Sequence, residues 1–145
     1  MAINEEAKKT AKQIYDCLRE NKINCGMAET VGDAQVPLVH LLLSGKRFQR
    51  LQVIIYVNGK EVCLLCRNVR AFPESRRGAM LRTMNDLNRT CRFFRCYPQG
   101  GSVCVSYSFQ PEMDNAGEWA HHMVLRLALW LEQAVPALSC AAEGN

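Results

Sequence analysis

The sequence lacks an apolar run near the roughly 20 residues that a transmembrane helix needs. Its longest runs are residues 53–57 and residues 124–130, and Arg126 interrupts the second. Residues 1–6 also lack the basic and apolar regions of a signal peptide. We therefore expect a cytoplasmic protein that makes no contact with membranes.

Motifs of common catalytic sites are also missing. Residues 44–47, Ser-Gly-Lys-Arg, resemble the end of a phosphate-binding loop, but that motif needs Gly where His40 stands and Ser or Thr where Arg47 stands. Neither a G-x-S-x-G nor an H-E-x-x-H pattern occurs. His121 and His122 are adjacent, so on a helix they diverge by about 100° and do not form a metal pair. These absences predict a protein that is not an enzyme and has no cofactor or bound metal.

Acidic residues are scarce in the middle of the chain. Residues 46–96 hold twelve Lys and Arg and three Asp and Glu, a net charge of +9, whereas residues 1–45 carry −1 and residues 97–145 carry −4. A basic segment of this kind can bind nucleic acid or an acidic partner. The candidate basic surface consists of Arg76, Arg77, Arg82, Arg89, Arg92 and Arg95.

Nucleic-acid binding through residues 46–96 is an alternative hypothesis. Arg92 and Arg95 flank two phenylalanines, as basic and aromatic residues do in proteins that bind single strands. On a strand, however, these two arginines would lie on opposite faces, and no RNP1 pattern is present. The other four arginines are more simply explained as the solvated side of a helix.

Three segments have apolar residues at helical spacing. The first ends near Asn21 and the second opens at residues 72–75. The third begins at Asn115-x-x-Glu118, which resembles a capping box, and Pro136 is expected to kink or end it. The predicted stripes are Ala7, Ala11, Ile14 and Leu18; Met80, Leu81, Met84, Leu87 and Asn88; and Ala120, Met123, Val124, Leu127, Leu131 and Ala134.

The remaining segments read as strands. A short extended piece within residues 22–30 and a loop at Gly32-Asp33 precede a strand at residues 37–43, and two hairpins follow. The second hairpin joins residues 91–97 to residues 103–109. Together with the helices, this order predicts a single α+β domain over residues 1–145, in which helices pack on an antiparallel sheet.

The first hairpin has the strongest local signal, because Asn58-Gly59 stands between two alternating apolar runs. A two-residue turn there pairs Ile55 with Val62, Val53 with Leu64 and Leu51 with Cys66. Cys63 then lies opposite Ile54. The apolar group on the second face of this hairpin comprises Ile54, Tyr56, Cys63 and Leu65. We predict that a helix covers this group or that it forms a partner or dimer face.

Cys63-x-x-Cys66 has the spacing used by zinc knuckles and thiol–disulfide oxidoreductases. An odd separation on a strand puts the two side chains on opposite faces, so they cannot share a zinc ion. A cytoplasmic chain with its own core also needs no disulfides, and we expect all eight cysteines to be reduced. A metal or redox protein that combines Cys63 or Cys66 with Cys91, Cys96 or Cys104 is a third hypothesis.

Residues 85–88, Asn-Asp-Leu-Asn, lead into Cys91-Arg-Phe-Phe-Arg95 and the Gly100-Gly101 turn. This segment resembles the YbjN family, whose members are described as bacterial sensory transduction regulators. In that family an Asn-x-x-Asn helix end is followed by a β-hairpin and a long C-terminal helix. The resemblance spans about residues 5–138. It implies a type III secretion chaperone-like fold with the order α-β-β-β-α-β-β-α.

The same resemblance implies a bacterial regulatory or interaction protein without catalytic activity, acting as a dimer through protein–protein contacts. It provides no catalytic or cofactor-binding residues and does not identify the partner. Secretion chaperones are usually acidic, whereas this chain carries a net charge of +4. The resemblance therefore predicts the fold of a chaperone and not its role.

Overall fold

A computed structural model describes residues 2–30, 35–111 and 115–144, with the side chains from residue 5 onward. The loop predicted at Gly32-Asp33 lies outside these residues. The elements are α1 (Ala2–Glu20), β1 (Cys25–Glu29), β2 (Pro37–Leu43), β3 (Leu51–Asn58), β4 (Glu61–Cys66), α2 (Arg77–Thr90), β5 (Arg95–Gln99), β6 (Ser102–Phe109) and α3 (Ala116–Glu143). A 3₁₀ turn, Glu74–Arg76, precedes α2.

The six strands form one antiparallel sheet in the order β1-β2-β3-β4-β6-β5. The predicted α+β class is confirmed. The order contains one strand more than the resemblance implies, because the short extended piece forms β1 and pairs with β2. Helix α1 packs on β1 to β3, α2 packs on β5, and both contact α3. All three helices thus lie on one side of the sheet.

Helical periodicity explains the core on that side. The predicted stripe of α1, from Ala7 to Leu18, is buried, and so is the stripe of α3 from Ala120 to Ala134. In α2 the core contacts come from Met80 and Met84, whereas Leu81, placed on the predicted stripe, is 38% exposed. A narrower stripe suffices there because α2 covers only the β5 end of the sheet.

The capping prediction for α3 and one of the two alternatives predicted for Pro136 need correction. Helix α3 begins after Asn115 as expected, but that side chain makes no capping hydrogen bond, and its Oδ1 is buried without a partner among the described residues. Pro136 does not end the helix, which continues to Glu143.

By length and composition α3 would be able to cross a membrane, although no apolar run of that length was found in the sequence. Here its buried stripe makes it the central core helix.

The first hairpin turns one residue later than predicted. Asn58 still belongs to β3 and pairs with Glu61, so the two turn residues are Gly59 and Lys60. Of these, Gly59 alone has a positive φ, 65°. Glycine at the first central position is the requirement of a type II′ turn, whereas type I′ needs positive φ at both positions. The Asn-Gly signal was therefore correct for the hairpin and wrong for its turn type.

This change shifts the register by two residues. Ile55 pairs with Leu64 rather than Val62, and Cys63 pairs with Tyr56 rather than with its predicted partner. Because side chains alternate with a period of two, an even shift leaves every residue on its predicted face. The predicted faces of Cys63 and Cys66 are therefore those observed.

The second hairpin begins later than predicted. Strand β5 starts at Arg95, and Arg92 lies in the bend before it. The prediction that Arg92 and Arg95 occupy opposite faces of a strand is therefore wrong. Gln99 pairs with Ser102 across a two-residue glycine turn, within the four-residue turn that was expected.

The outer edge of β5 is closed by a side chain from α2. The Asn88 amide nitrogen donates to Cys96 O at 2.9 Å, and Cys96 N donates to Asn88 Oδ1 at 2.8 Å. The carboxamide thus makes the pair of hydrogen bonds that a neighbouring strand would make. Two residues along, Pro98 has no N–H to offer. This edge cannot pair with another chain without displacing Asn88.

We predict that Asn88→Ala lowers the free energy of unfolding by about 1–3 kcal/mol, because it leaves the Cys96 backbone groups without partners. Urea denaturation measures the change. Asn85→Ala, on the exposed side of the same helix, is the matched control and should stay within about 0.5 kcal/mol of wild type. Equal effects of the two substitutions would contradict the edge-closing role.

Candidate interaction surface

The side of the sheet opposite the helices has an apolar centre. Leu38, Ile54, Tyr56 and Leu65 lie side by side on β2, β3 and β4, and each is partly buried. In the described part of the chain no helix packs on this side. The alternative prediction, that a helix covers the face, is therefore wrong for the described helices.

These four side chains line a shallow groove of about 270 Å³. Three of them, Ile54, Tyr56 and Leu65, belong to the predicted face. The groove is completed at its ends by Thr30, Val36, Asn58 and Arg67. An apolar floor with a polar and cationic rim is the usual composition of a protein contact surface.

Cys63, the fourth predicted residue, lies beside this groove. It is 9% exposed, pairs with Tyr56 across the hairpin, and its Sγ accepts a hydrogen bond from Ser108 Oγ at 3.4 Å. Burial, and secondarily the neighbouring Cys63, raises the pKa of Tyr56 above its usual value. Tyr56 is therefore a neutral hydrogen-bonding group of the face near pH 7.

Cys66 lies on the other side of the sheet, in the core. Its side chain is fully buried, and burial raises the pKa of its thiol to about 12. Burial likewise raises the pKa of Cys96 to about 11. Among the described residues no group of three or more His, Cys, Asp and Glu lies close enough to hold a metal ion. The structure does not bring Cys63 and Cys66 together as a ligand pair.

The six arginines of the candidate basic surface differ in their contacts within the chain. Arg76 Nε donates to Ala141 O at 2.9 Å, which ties the start of α2 to the end of α3. Arg77 Nε lies 2.9 and 3.0 Å from the two carboxylate oxygens of Glu74. Each of these guanidinium groups is thus already occupied within the chain.

Two further arginines are also engaged. Arg89 pairs with Asp86 on the same helix, and Arg95 donates to Cys91 O at 2.6 Å and to Phe94 O at 3.0 Å. Arg82 and Arg92 are exposed, and no hydrogen bond or ion pair to a described residue is found for either. Of the predicted basic surface, these two side chains are free to meet a ligand.

Sequence reasoning missed the part of the groove that β2 contributes. Leu38 lies opposite Tyr56 and shares its face, but its place follows only from the pairing of β2 with β3. Alternation within residues 37–43 would have separated Leu38 from the core residue Val39. The sequence therefore indicated the face on which Leu38 lies. It did not indicate that β2 is the strand next to β3.

The outer side of α3 is a second apolar feature that was missed. Leu129 is 72% exposed and Leu125 is 49% exposed, one turn apart on the side opposite the buried stripe. A shallow cleft between this side and residues 45–46 is anchored where Lys46 N donates to Glu132 Oε1 at 2.6 Å.

We predict that stability falls as pH rises through the range from 9 to about 12, because the Cys66 thiol must stay neutral in the folded protein and ionises near pH 9 when unfolded. The contribution of this one group is about 1.4 kcal/mol per pH unit. In urea denaturation at pH 8 to 10.5, Cys66→Val should have a smaller slope than wild type. Cys140→Ser, at an exposed thiol, should leave the slope unchanged; a similar change in both variants would refute the assignment.

Two solved structures share features of this fold. Over 92% of each chain, the structure is similar to the crystal structure of YbjN, "a putative transcription regulator from E. coli", with a TM-score of 0.59 and 9% identity. The predicted likeness to a secretion chaperone is also found, with the Yersinia pestis type III secretion chaperone SycH in complex with a stable fragment of YscM2. There the TM-score is 0.45 at 10% identity, over 84% of this chain and 98% of that chain, and we draw nothing further from it.

No curated protein sequence matches this chain. The sequence profile of the YbjN family, described as "Putative bacterial sensory transduction regulator", matches residues 10–143. That match covers the second half of α1, the whole sheet, α2 and α3. The chain belongs to the YbjN family.

Proposed function

We propose that this protein is a non-enzymatic regulatory module that acts by binding another protein through the open side of its sheet. The observation that carries the proposal is the groove of Leu38, Ile54, Tyr56 and Leu65, an apolar surface that no described helix covers. Contiguous exposed apolar surface of this kind marks contact sites. Membership of a family described as sensory regulators supports the same role.

The ionisable groups support a role without catalysis. A cysteine nucleophile needs a thiol pKa near or below neutrality, and burial raises the pKa of Cys17, Cys25, Cys66 and Cys96 instead. His122 Nε2 accepts a hydrogen bond from Arg126 Nε at 2.8 Å, so this nitrogen is occupied by a permanent cation. None of these groups has the paired base that nucleophilic catalysis requires.

If this face binds a second copy of the chain, the two copies form a symmetric dimer. In such a dimer the same groove lies on both sides of a twofold axis, so that Ile54 and Leu65 bury each other's apolar surface. The protein is expected to be cytoplasmic. The apolar floor with Arg67 at its rim would also accept an apolar segment that ends in a carboxylate.

We expect light scattering at tens of micromolar to give twice the 16.4 kDa mass of one chain, and Ile54→Glu to give the monomer mass, because the variant places a charge in the apolar contact. Gln52→Glu is the matched control, with the same added charge on the same strand and face but outside the groove lining. A wild-type mass of 16.4 kDa would discard the dimer.

Nucleic-acid binding is the second candidate, because E. coli YbjN is described as "a putative transcription regulator" and Arg82 and Arg92 make no hydrogen bond or ion pair with a described residue. We expect no mobility shift with single-stranded DNA or RNA at 50 mM salt, since four of the six arginines are engaged within the chain. A shift that weakens with salt, and that the double substitution Arg82→Glu with Arg92→Glu abolishes, would favour the nucleic-acid candidate instead.

A further inference from the structure

Two exposed residues of opposite charge, Glu61 and Arg67, stand at the two ends of β4 on the open side of the sheet. Alternation along β4 places Glu61 on the same side as Cys63 and Leu65, and Glu61 is among the groups that, after burial, raise the pKa of Tyr56. Arg67 directly follows β4 and lines the groove. No hydrogen bond or ion pair to a described residue is found for either charged side chain.

The other charged residues near this face are held elsewhere. Glu29 of β1 lies on the helix side of the sheet, where it pairs with Lys8. Arg95 of β5 lies on the open side, but its guanidinium donates to two backbone carbonyl oxygens of its own chain. Lys60 lies in the hairpin turn, beyond the paired residues of β3 and β4. The charges at the two ends of β4 are thus the ones that a partner on the open side of the described strands would pair with.

The opposite signs of these two residues decide which partner the face fits. A uniformly acidic segment would pair with Arg67 and be repelled by Glu61, and a basic segment would do the reverse. The two groups cannot pair within one chain, because six residues of a strand span about 20 Å. A second copy turned end for end brings its Glu61 to Arg67 and its Arg67 to Glu61. One chain therefore contains both halves of the charge match that its own face needs.

The same arrangement covers the apolar groove. Sheets that pack face to face keep their strands nearly aligned, so β4 of one copy would run along β4 of the other. A twofold axis that lies between the two sheets and crosses β4 midway between Cys63 and Leu65 also crosses β3 midway between Ile54 and Tyr56, because these residues are paired. The apolar side chains of the two copies then pack around the axis, with an ion pair at each end of β4.

We infer that the occupant of this face is a second copy of the chain, which lies antiparallel along β4 with Glu61 of each copy paired to Arg67 of the other. The inference rests on the proposed use of the groove as a contact site, and it adds the partner and its orientation. Apolar packing around the axis stabilises the contact. The two ion pairs fix the direction in which the copies dock, because the reverse direction would place like charges together.

Sedimentation equilibrium of charge-reversed variants tests this pairing. Arg67→Glu and Glu61→Arg should each raise the dimer dissociation constant about tenfold or more, because both ion pairs of the dimer become pairs of like charge. An equimolar mixture of the two variants should form dimers about as tightly as wild type does. In that mixture one variant has two carboxylates at the ends of β4 and the other has two guanidinium groups, so both ion pairs are restored.

Two further proteins complete the design. A chain with both substitutions should regain a dissociation constant within about threefold of wild type, because it exchanges the two signs and keeps the match. Arg82→Glu is the matched control, since it makes the same charge change at an exposed residue of α2, on the helix side of the sheet. It should leave the dissociation constant within about twofold of wild type. Circular dichroism checks that every variant is folded.

Four results would overturn the inference, and they differ in what they mean for the groove. A wild-type chain that stays monomeric at tens of micromolar would leave the groove to a different protein. A dimer that Ile54→Glu dissociates, but that neither charge reversal weakens, would keep the groove as the contact site and reject the pairing. A mixture of folded variants that stays monomeric would also reject the pairing. If the dimer resists Ile54→Glu as well as both reversals, the inference and the proposed contact site fail together.

Discussion

The structure depends on the packing of α3 across one side of the sheet. Its buried stripe, from Ala116 to Ala142, shares one hydrophobic core with the buried side chains of the strands, and the helix packs against both α1 and α2. Because this single helix lies at the centre, the other two pack beside it on the same side. Since all three described helices lie on this side, none of them covers the second side of the sheet, and the apolar groove there remains partly exposed.

Alternation along the strands carried the most information from the sequence. The core positions of β3 and β4, and the opposite faces of Cys63 and Cys66, follow from a period of two and survive a register error of two residues. Helical periodicity was equally informative for α1 and α3. Leu81 was misplaced because a short helix at the end of a sheet buries fewer positions than a central one.

Contacts between a side chain and a distant backbone could not be predicted. Asn88 was assigned to an apolar stripe, and its bonds to Cys96 depend on how α2 returns beside β5. The sequence also could not show whether a capping hydrogen bond forms. Asn115 is of a residue type that often caps helices, but its side chain makes no capping hydrogen bond here. For the basic segment, composition indicated a surface of six arginines, whereas four of them fulfil local structural roles. Net charge counts residues and does not show which ones are already paired.

The closure of the β5 edge by Asn88 also limits how the sheet can grow. A sheet with two open edges can add chains at both ends and extend without limit, which leads to filaments. With the β5 edge closed, two copies that paired through β1 would leave only closed edges at both ends of the joined sheet. Pairing through sheet edges would therefore stop at two copies and could not continue into an open-ended assembly.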